Sequence, residues 1–386
     1  MEKDIDWMNR ALELAKGGRG KVSPNPMVGA VIVKNGKCIG EGYHKLYGGA
    51  HAEICALESC KEDPKGATIY VTLEPCCHFG KTPPCTQAII QAGIKRVVVG
   101  ARDPNPLVSG KGIEQLRTAG LIVAVGILEE DCIKLNDVFF HYIQTKTPYV
   151  ILKAAMSLDG KIATKTGESK WITGELAREH GHSVRGNVKA IMVGIGTVLA
   201  DDPMLTCRVG ENTTDNPIRI VIDKYLQISL DSKLVKTATK TPLWVVCAET
   251  EPSFNLNGNA QTDIDNKCKE AFLEANGVIL LRRPLQADGQ IDLKDLMHIL
   301  ADRQIDSLLI EGGGSLNDSA LAADIVCEVN FYIAPIIIGG ETAKNGISGR
   351  GRETLALASR LKALKMQPLG DDWLITAKVV KKCSQA

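Results

Sequence analysis

The sequence predicts two α/β domains joined near Thr145-Lys146-Thr147-Pro148, and three observations carry that reading. The chain has 386 residues, more than the roughly 250 to 300 at which single hydrophobic cores stop growing. Apolar runs of strand length alternate with helical stretches, the layering pattern of α/β folds. A helical stretch from Glu129 to Gln144 then runs into Pro148, and proline disfavours helix at the residue before it. The expected domains are therefore residues 1–146 and 147–386.

In the first domain, Ile5, Met8, Leu12 and Ala15 recur at helical spacing. Val28–Val33 and Cys38–Gly42 flank Asn35-Gly36, a dipeptide suited to a type I′ hairpin turn. A helix from Ala52 to Cys60, a strand at Thr68–Leu73, a helix after Pro84 and a strand at Arg96–Gly100 follow, and elements near Gly112–Ala119 and Leu121–Gly126 complete the sheet. Beyond the boundary, Tyr149–Met156, Ala190–Val193, Ile218–Ile222, Leu243–Cys247, Val278–Leu281, Ser307–Ile310 and Val329–Ile338 read as strands with helices between some of them. The polar stretch Thr250–Asn266 reads as a surface loop.

Composition excludes several classes. Apolar residues at 44% and charged residues at 24% fit a compact globular chain and oppose disorder or a coiled coil. The longest apolar runs, such as Gly120–Leu128, fall short of the ~20 residues that span a bilayer. The start Met1-Glu2-Lys3-Asp4-Ile5-Asp6 is unlike a targeting peptide, so a cytoplasmic protein is expected. Lysine plus arginine (46) balances aspartate plus glutamate (45), leaving no field to hold a nucleic-acid backbone. A small-molecule substrate is favoured over nucleic acid or membrane, and a homo-oligomer stays open. Most of the twelve cysteines are scattered and read as reduced core residues. Cys76, Cys77 and Cys85 stand apart, gathered within ten residues.

His51-Ala52-Glu53 opens a helix, Pro75-Cys76 follows a strand, and Cys85 stands behind Pro83-Pro84 at another helix start. One imidazole and two thiolates give zinc three ligands and leave the fourth position open, the arrangement of a catalytic metal. Glu53 would lie beside that metal as a proton shuttle rather than a ligand. Zinc nucleobase deaminases carry this His-x-Glu and Pro-Cys pattern with a second cysteine three residues after the first. Here that position is Phe79, so Cys85 must serve across an eight-residue insertion. Cys77 and His78 are rival ligands, and the bland alternative is a chance tripeptide with core cysteines.

The inserted loop, with Phe79, Gly80, Lys81, Thr82 and two prolines, resembles that of the riboflavin-biosynthesis pyrimidine deaminases. Ser23-Pro24-Asn25-Pro26-Met27-Val28-Gly29, Gly42-Tyr43-His44 and Leu73-Glu74-Pro75-Cys76 are similar to the same family. The resemblance implies a cytidine-deaminase-like three-layer domain in which Asn25, His44 and Lys81 bind the substrate. Read without it, Asn25 is a turn residue between prolines, His44 caps a strand end and Lys81 is solvated.

In the second domain, Gly194-Ile195-Gly196 tempts a dinucleotide reading, but the third glycine of the fingerprint would fall at Leu199. Glu311-Gly312-Gly313-Gly314-Ser315-Leu316 is a better phosphate site, because a strand there meets glycines and then a helix. Taken alone, three glycines are a tight turn. Lys153–Lys161, Gly167–Thr173 and Thr197–Pro203 resemble the reductase half of the same bifunctional family. That likeness implies a dihydrofolate-reductase-like fold using NADPH. It places Ala155, Trp171, Thr197, Asp201, Gly312, Gly313 and Gly314 on the cofactor, and Ser169, Arg185, Leu205, Arg208 and Glu311 on a ribose-phosphate substrate. The plain reading of both arginines is solvated surface, and that of Lys153 a solvated strand-end lysine, although Lys153 could relay a proton.

The expected protein is thus a bifunctional riboflavin-biosynthesis enzyme. It would combine zinc-dependent deamination of a phosphoribosylaminopyrimidine, using one Zn2+ per chain, with NADPH-dependent reduction of the ribosyl group. The rivals are a nucleic-acid deaminase with an accessory domain, opposed by balanced charge and 4% aromatics, and a nucleotide-binding regulator with structural zinc, opposed by Glu53.

Overall fold

The computed structural model describes residues 2–79, 83–208, 216–249 and 260–381. It divides into two compact units, Met1–Thr147 and Pro148–Ala386.

In the first unit the elements run α1 (Glu2–Ala15), β1 (Gly29–Lys34), β2 (Lys37–Tyr43), α2 (Ala52–Glu58), β3 (Thr68–Leu73), α3 (Cys85–Gln91), β4 (Arg96–Ala101), α4 (Lys111–Thr118), β5 (Ile122–Val125), α5 (Glu129–Leu135) and α6 (Asp137–Thr145). The sheet order is β2-β1-β3-β4-β5, with β1 antiparallel to both neighbours and β3, β4 and β5 parallel. Asn35 and Gly36 both have positive φ, as a type I′ turn requires. Side chains alternate across the sheet. Ile32, Ile69, Val71, Val97 and Val99 meet α2, α3 and α4 through Ala52, Ala56, Ile89 and Leu116. Val31, Val33, Tyr70 and Val98 meet α1, α5 and α6 through Met8, Ala11, Cys132 and Phe139. The result is a three-layer sandwich.

The expected single helix over Glu129–Gln144 is in fact two, broken at Asn136 (φ −114°, ψ 27°). The buried Asn136 amide accepts a hydrogen bond from Met27 N–H (2.8 Å) and donates to Met27 C=O (2.9 Å), a tertiary pairing that overrides helical continuity.

The second unit runs β6 (Tyr149–Ser157), α7 (Glu175–Arg185), β7 (Ala190–Gly194), α8 (Ile195–Asp201), β8 (Ile218–Ile222), α9 (Lys233–Lys236), β9 (Leu243–Ala248), α10 (Ala260–Ala275), β10 (Val278–Arg283), α11 (Leu293–Asp302), β11 (Ser307–Ile310), α12 (Gly314–Ala322), β12 (Val326–Ala334), β13 (Leu361–Leu369) and β14 (Asp372–Val379). Its nine-stranded sheet has the order β10-β9-β8-β7-β11-β6-β12-β14-β13, parallel from β10 to β12 and antiparallel at β14 and β13. Leu152, Met192, Ile220 and Ile310 pack with Leu296, Leu300 and Leu316 on one face, and Ile191, Val193, Val221 and Leu309 pack with Val198, Leu234 and Leu273 on the other.

Several expectations need correction here. The last parallel strand starts at Val326 and stops at Ala334, because Pro335 has no N–H for the ladder. From Ala260 onward the supposed 250–266 loop is helical, its earlier part lying outside the described residues. The strands β13 and β14 went unanticipated. β13 is an edge strand exposed on both faces, so its sequence lacks alternation. Among the described residues the cysteines are free thiols, but only Cys85, Cys132, Cys247 and Cys327 are buried. No described helix is long and apolar enough to cross a membrane.

The N-terminal helix is pinned by Asp4, which accepts paired bonds from Arg96 (2.8 and 3.0 Å) and one from Tyr70 Oη (2.8 Å). Arg96 holds the Asp4 carboxyl down to about 2, below its ordinary 3.8. A depressed carboxyl stabilises the fold above its unfolded value and loses that contribution as pH falls through the folded one. Asp4→Asn should therefore cost about 1 to 2 kcal/mol at pH 7. Urea unfolding should show the gap from the parent protein closing between pH 4 and pH 2.

Candidate active sites

In the first unit three separate segments converge. His51 is the N-cap of α2, Cys76 follows β3, and Cys85 is the first residue of α3. Their ligand atoms lie within 4.8 Å of one another. His51 Nδ1 is 3.2 Å from Cys85 Sγ and 3.6 Å from Cys76 Sγ. Zinc–nitrogen and zinc–sulfur bonds of about 2.0 and 2.3 Å at a tetrahedral angle put nitrogen and sulfur about 3.5 Å apart, so the donor set fits zinc. The Cys85 thiol and the His51 ring hold Cys76 down to about 4, toward the thiolate.

Glu53, buried on the first turn of α2, turns its carboxylate toward this cluster. Burial pushes it up to about 7, and its Oε2 has no hydrogen-bond partner. An orphaned buried oxygen beside three ligand atoms marks a place for water or substrate. Among the described residues the rivals do not join the cluster: Cys77 Sγ faces Leu107 C=O at 3.9 Å, and His78 lines the surrounding cavity.

The cavity above the cluster is lined by Asn25 and His44, as expected, and by Asp103, Asn105, Val108 and Phe139, which sequence reasoning missed. His44 is buried: its Nδ1 donates to Ala50 C=O (2.9 Å), Asn25 Nδ2 donates to its Nε2 (3.2 Å), and its ring meets His51 edge-on at 5.5 Å. Both residues thus do more than turn the chain. Lys81 lies outside the described residues. Glu74 accepts bonds from the N–H groups of Asp103, Gly110 and Ile113 (3.3, 2.9 and 3.1 Å), fixing the loop that carries Asp103 and Asn105. The signal for that loop was Asp103-Pro104-Asn105-Pro106 just past a strand's carboxyl end, where α/β folds place ligands.

The second unit's cavity gathers Ala155, Ser169, Trp171, Arg185, Asp201, Arg208 and Glu311, all expected there. It also includes Lys153, Arg178 and His182. Arg178, His182 and Arg185 recur at helical spacing on α7, a signal the sequence did carry. Arg185 and Lys153 are both partly buried rather than free surface cations. Arg185 pairs bidentately with Glu311 (2.9 and 2.7 Å) and donates to Thr206 C=O (3.1 Å), while Lys153 Nζ is 3.9 Å from Glu311 and 5.4 Å from the centre of the Tyr332 ring. Burial alone would raise Glu311, but Lys153 and Arg185 hold it at about 2. Arg208 is exposed.

Three placements differ from expectation. Leu205 is buried in the core beside Ile191 and Val198 and does not line this cavity. Gly312–Gly314 and Thr197 lie apart from the lining, at the starts of α12 and α8, which follow the neighbouring strands β11 and β7. A Cβ at Gly312 would press on Leu316, and one at Gly314 would collide with Ser348 Oγ and Asn345 C=O. At Gly313 the nearest atom would be Thr197 Oγ1 at 3.7 Å. A side chain at the middle glycine would make only an ordinary contact with Thr197, whereas its neighbours are demanded by packing.

Residues 1–101 match the family described as cytidine and deoxycytidylate deaminase zinc-binding region, and residues 148–375 match the RibD C-terminal domain. A zinc-type deaminase and a pyrimidine reductase are thus joined in one chain, each with the expected fold class. The riboflavin biosynthesis protein RibD of Actinobacillus pleuropneumoniae is 48% identical over 377 residues, covering 98% of this chain and 96% of that one. RibD of Escherichia coli is 39% identical over 381 residues, covering 96% and 98%. The solved Thermotoga maritima diaminohydroxyphosphoribosylaminopyrimidine deaminase/5-amino-6-(5-phosphoribosylamino)uracil reductase superposes with a TM-score of 0.83 at 37% identity, covering 98% and 99%. The chain belongs to the RibD family of bifunctional riboflavin-biosynthesis enzymes.

The glycine geometry has a direct consequence. Gly314→Ala should destabilise the second unit by about 1 to 3 kcal/mol through overpacking. Gly313→Ala should leave thermal unfolding unchanged, and scanning calorimetry of both variants checks the contrast.

Proposed function

We propose that the first unit hydrolytically deaminates 2,5-diamino-6-(5-phosphoribosylamino)pyrimidin-4(3H)-one, with His51, Cys76 and Cys85 holding one zinc ion. When bound, zinc supplies the Lewis acidity that makes water nucleophilic near neutral pH. Glu53 takes a proton from the attacking water and returns it to the exocyclic amine, which leaves as ammonia. Asn25 and His44 form one wall of the pyrimidine pocket, and the family resemblance assigns Lys81 to the same substrate. The observation that carries this reading is the unpartnered Glu53 Oε2 beside three converging ligand atoms.

In the second unit, Thr197, Gly313 and the start of α12 would hold the NADPH diphosphate by hydrogen bonding and helix dipole, with Ala155, Trp171 and Asp201 along the rest of the cofactor. NADPH supplies the hydride that converts the ribosyl group to ribityl. Arg208 and Ser169 bind the ribose phosphate. Lys153, 3.9 Å from Glu311, would donate a proton as the opened ribose accepts hydride, and Arg185 holds Glu311 in place. Both reactions take place in the cytoplasm on small molecules.

Reciprocal lesions test the division of labour. Glu53→Gln should keep zinc and lose deamination by ~10²- to 10⁴-fold, while NADPH oxidation with the deaminated intermediate continues. Arg208→Ala should leave deamination intact and raise the reductase KM roughly 10- to 100-fold by removing a charge-assisted phosphate contact. Ammonia release and NADPH absorbance measure the two. Loss of both activities in either variant would contradict the assignment.

A further inference from the structure

Asn136 lies outside the cavity, yet it interrupts a helix in order to reach the loop that forms the cavity's wall. The sequence from Glu129 to Gln144 is helical in character, and the break occurs at this one residue. The residue is 3% exposed, and its side-chain amide pairs with both backbone groups of Met27, 109 positions away, as one peptide pairs with another. Met27 sits in the centre of the Asn25–Val28 segment. Asn25, Pro26 and Val28 line the cavity, Asn25 donates to His44 Nε2, and Val28 C=O accepts from His44 N–H (2.9 Å). Phe139, one turn beyond the break on α6, lines the same cavity.

A continuous helix would leave Met27 N–H and C=O without these partners and would turn the Phe139 face to another angle. We infer that Asn136 is a positioning residue for the deaminase, setting the substrate wall through Met27, Asn25 and His44 and, by breaking the helix, through Phe139. The inference rests on reading the first unit's cavity as the deaminase site. Because Asn136 touches neither the ligand cluster nor Glu53, it governs substrate binding rather than proton transfer. Its loss should move KM and spare kcat, the pattern of an interaction made equally in ground and transition states.

The test uses the full-length zinc-loaded enzyme. Asn136→Asp retains the acceptor for Met27 N–H but turns a carboxylate oxygen against Met27 C=O, and Asn136→Ser removes both contacts without adding charge. Either variant should raise the deamination KM for the diaminopyrimidinone roughly tenfold, with kcat within about twofold, zinc at one per chain and NADPH-dependent reduction unchanged. If Asn136→Asp does not accumulate as folded protein, Asn136→Ser gives the same readings. In the Asn25→Ala background, Asn136→Ser should raise KM by much less than in the parent, because the two act through one wall. A lowered melting temperature with KM unchanged, or full additivity with Asn25→Ala, would overturn the inference. Absence of deamination in the parent enzyme would instead overturn the deaminase reading itself.

Discussion

The first site depends on how closely α2 lies against β2. Gly40 and Gly42 remove the side chains that would hold the helix off: a Cβ on either would sit 2.5 Å from the backbone of Ala56. With the helix seated on bare strand, its N-cap His51 and first-turn Glu53 come down beside the end of β3, where Cys76 emerges, and beside the start of α3, where Cys85 sits. A bulkier residue on β2 would displace His51 and Glu53 together, since both ride on one short helix. The chemistry therefore rests on backbone packing as much as on ligand identity.

The second unit solves a different problem. Hydride transfer asks the protein mainly to orient two molecules and fix charge, and its cavity is organised around Glu311, a carboxylate only 9% exposed between two cations. Removing Arg185 or Lys153 would leave a buried charge with half its compensation, a costly state in a low-dielectric site. The adjoining helix starts of α8 and α12 arise from adjacent parallel strands, so the sheet's topology supplies paired amide-rich ends without the usual dinucleotide fingerprint.

What the sequence disclosed follows from the range of the interactions involved. The convergence of His51, Cys76 and Cys85 beside Glu53 was legible because each stands at a strand end or helix start with its own local signal: His-x-Glu, Pro-Cys, Pro-Pro-Cys. The hairpin was legible from Asn35-Gly36. The Arg185–Glu311 pair spans 126 positions and the Asn136–Met27 pairing 109, and neither leaves a local trace, so without the family resemblance Arg185 read as surface, and Asn136 read as mid-helix. Leu205 matched its family motif but packs in the core. The edge strand β13 packs neither face and so shows no alternation to read.

A metal held by His51, Cys76 and Cys85 would have one nitrogen and two sulfur ligands and one position free for water. Zinc X-ray absorption on the purified enzyme tests it most directly. The account predicts two sulfur scatterers at about 2.3 Å and two nitrogen or oxygen scatterers at about 2.0 to 2.1 Å. Three or four sulfurs, which would bring in Cys77 and close the open position, would contradict it.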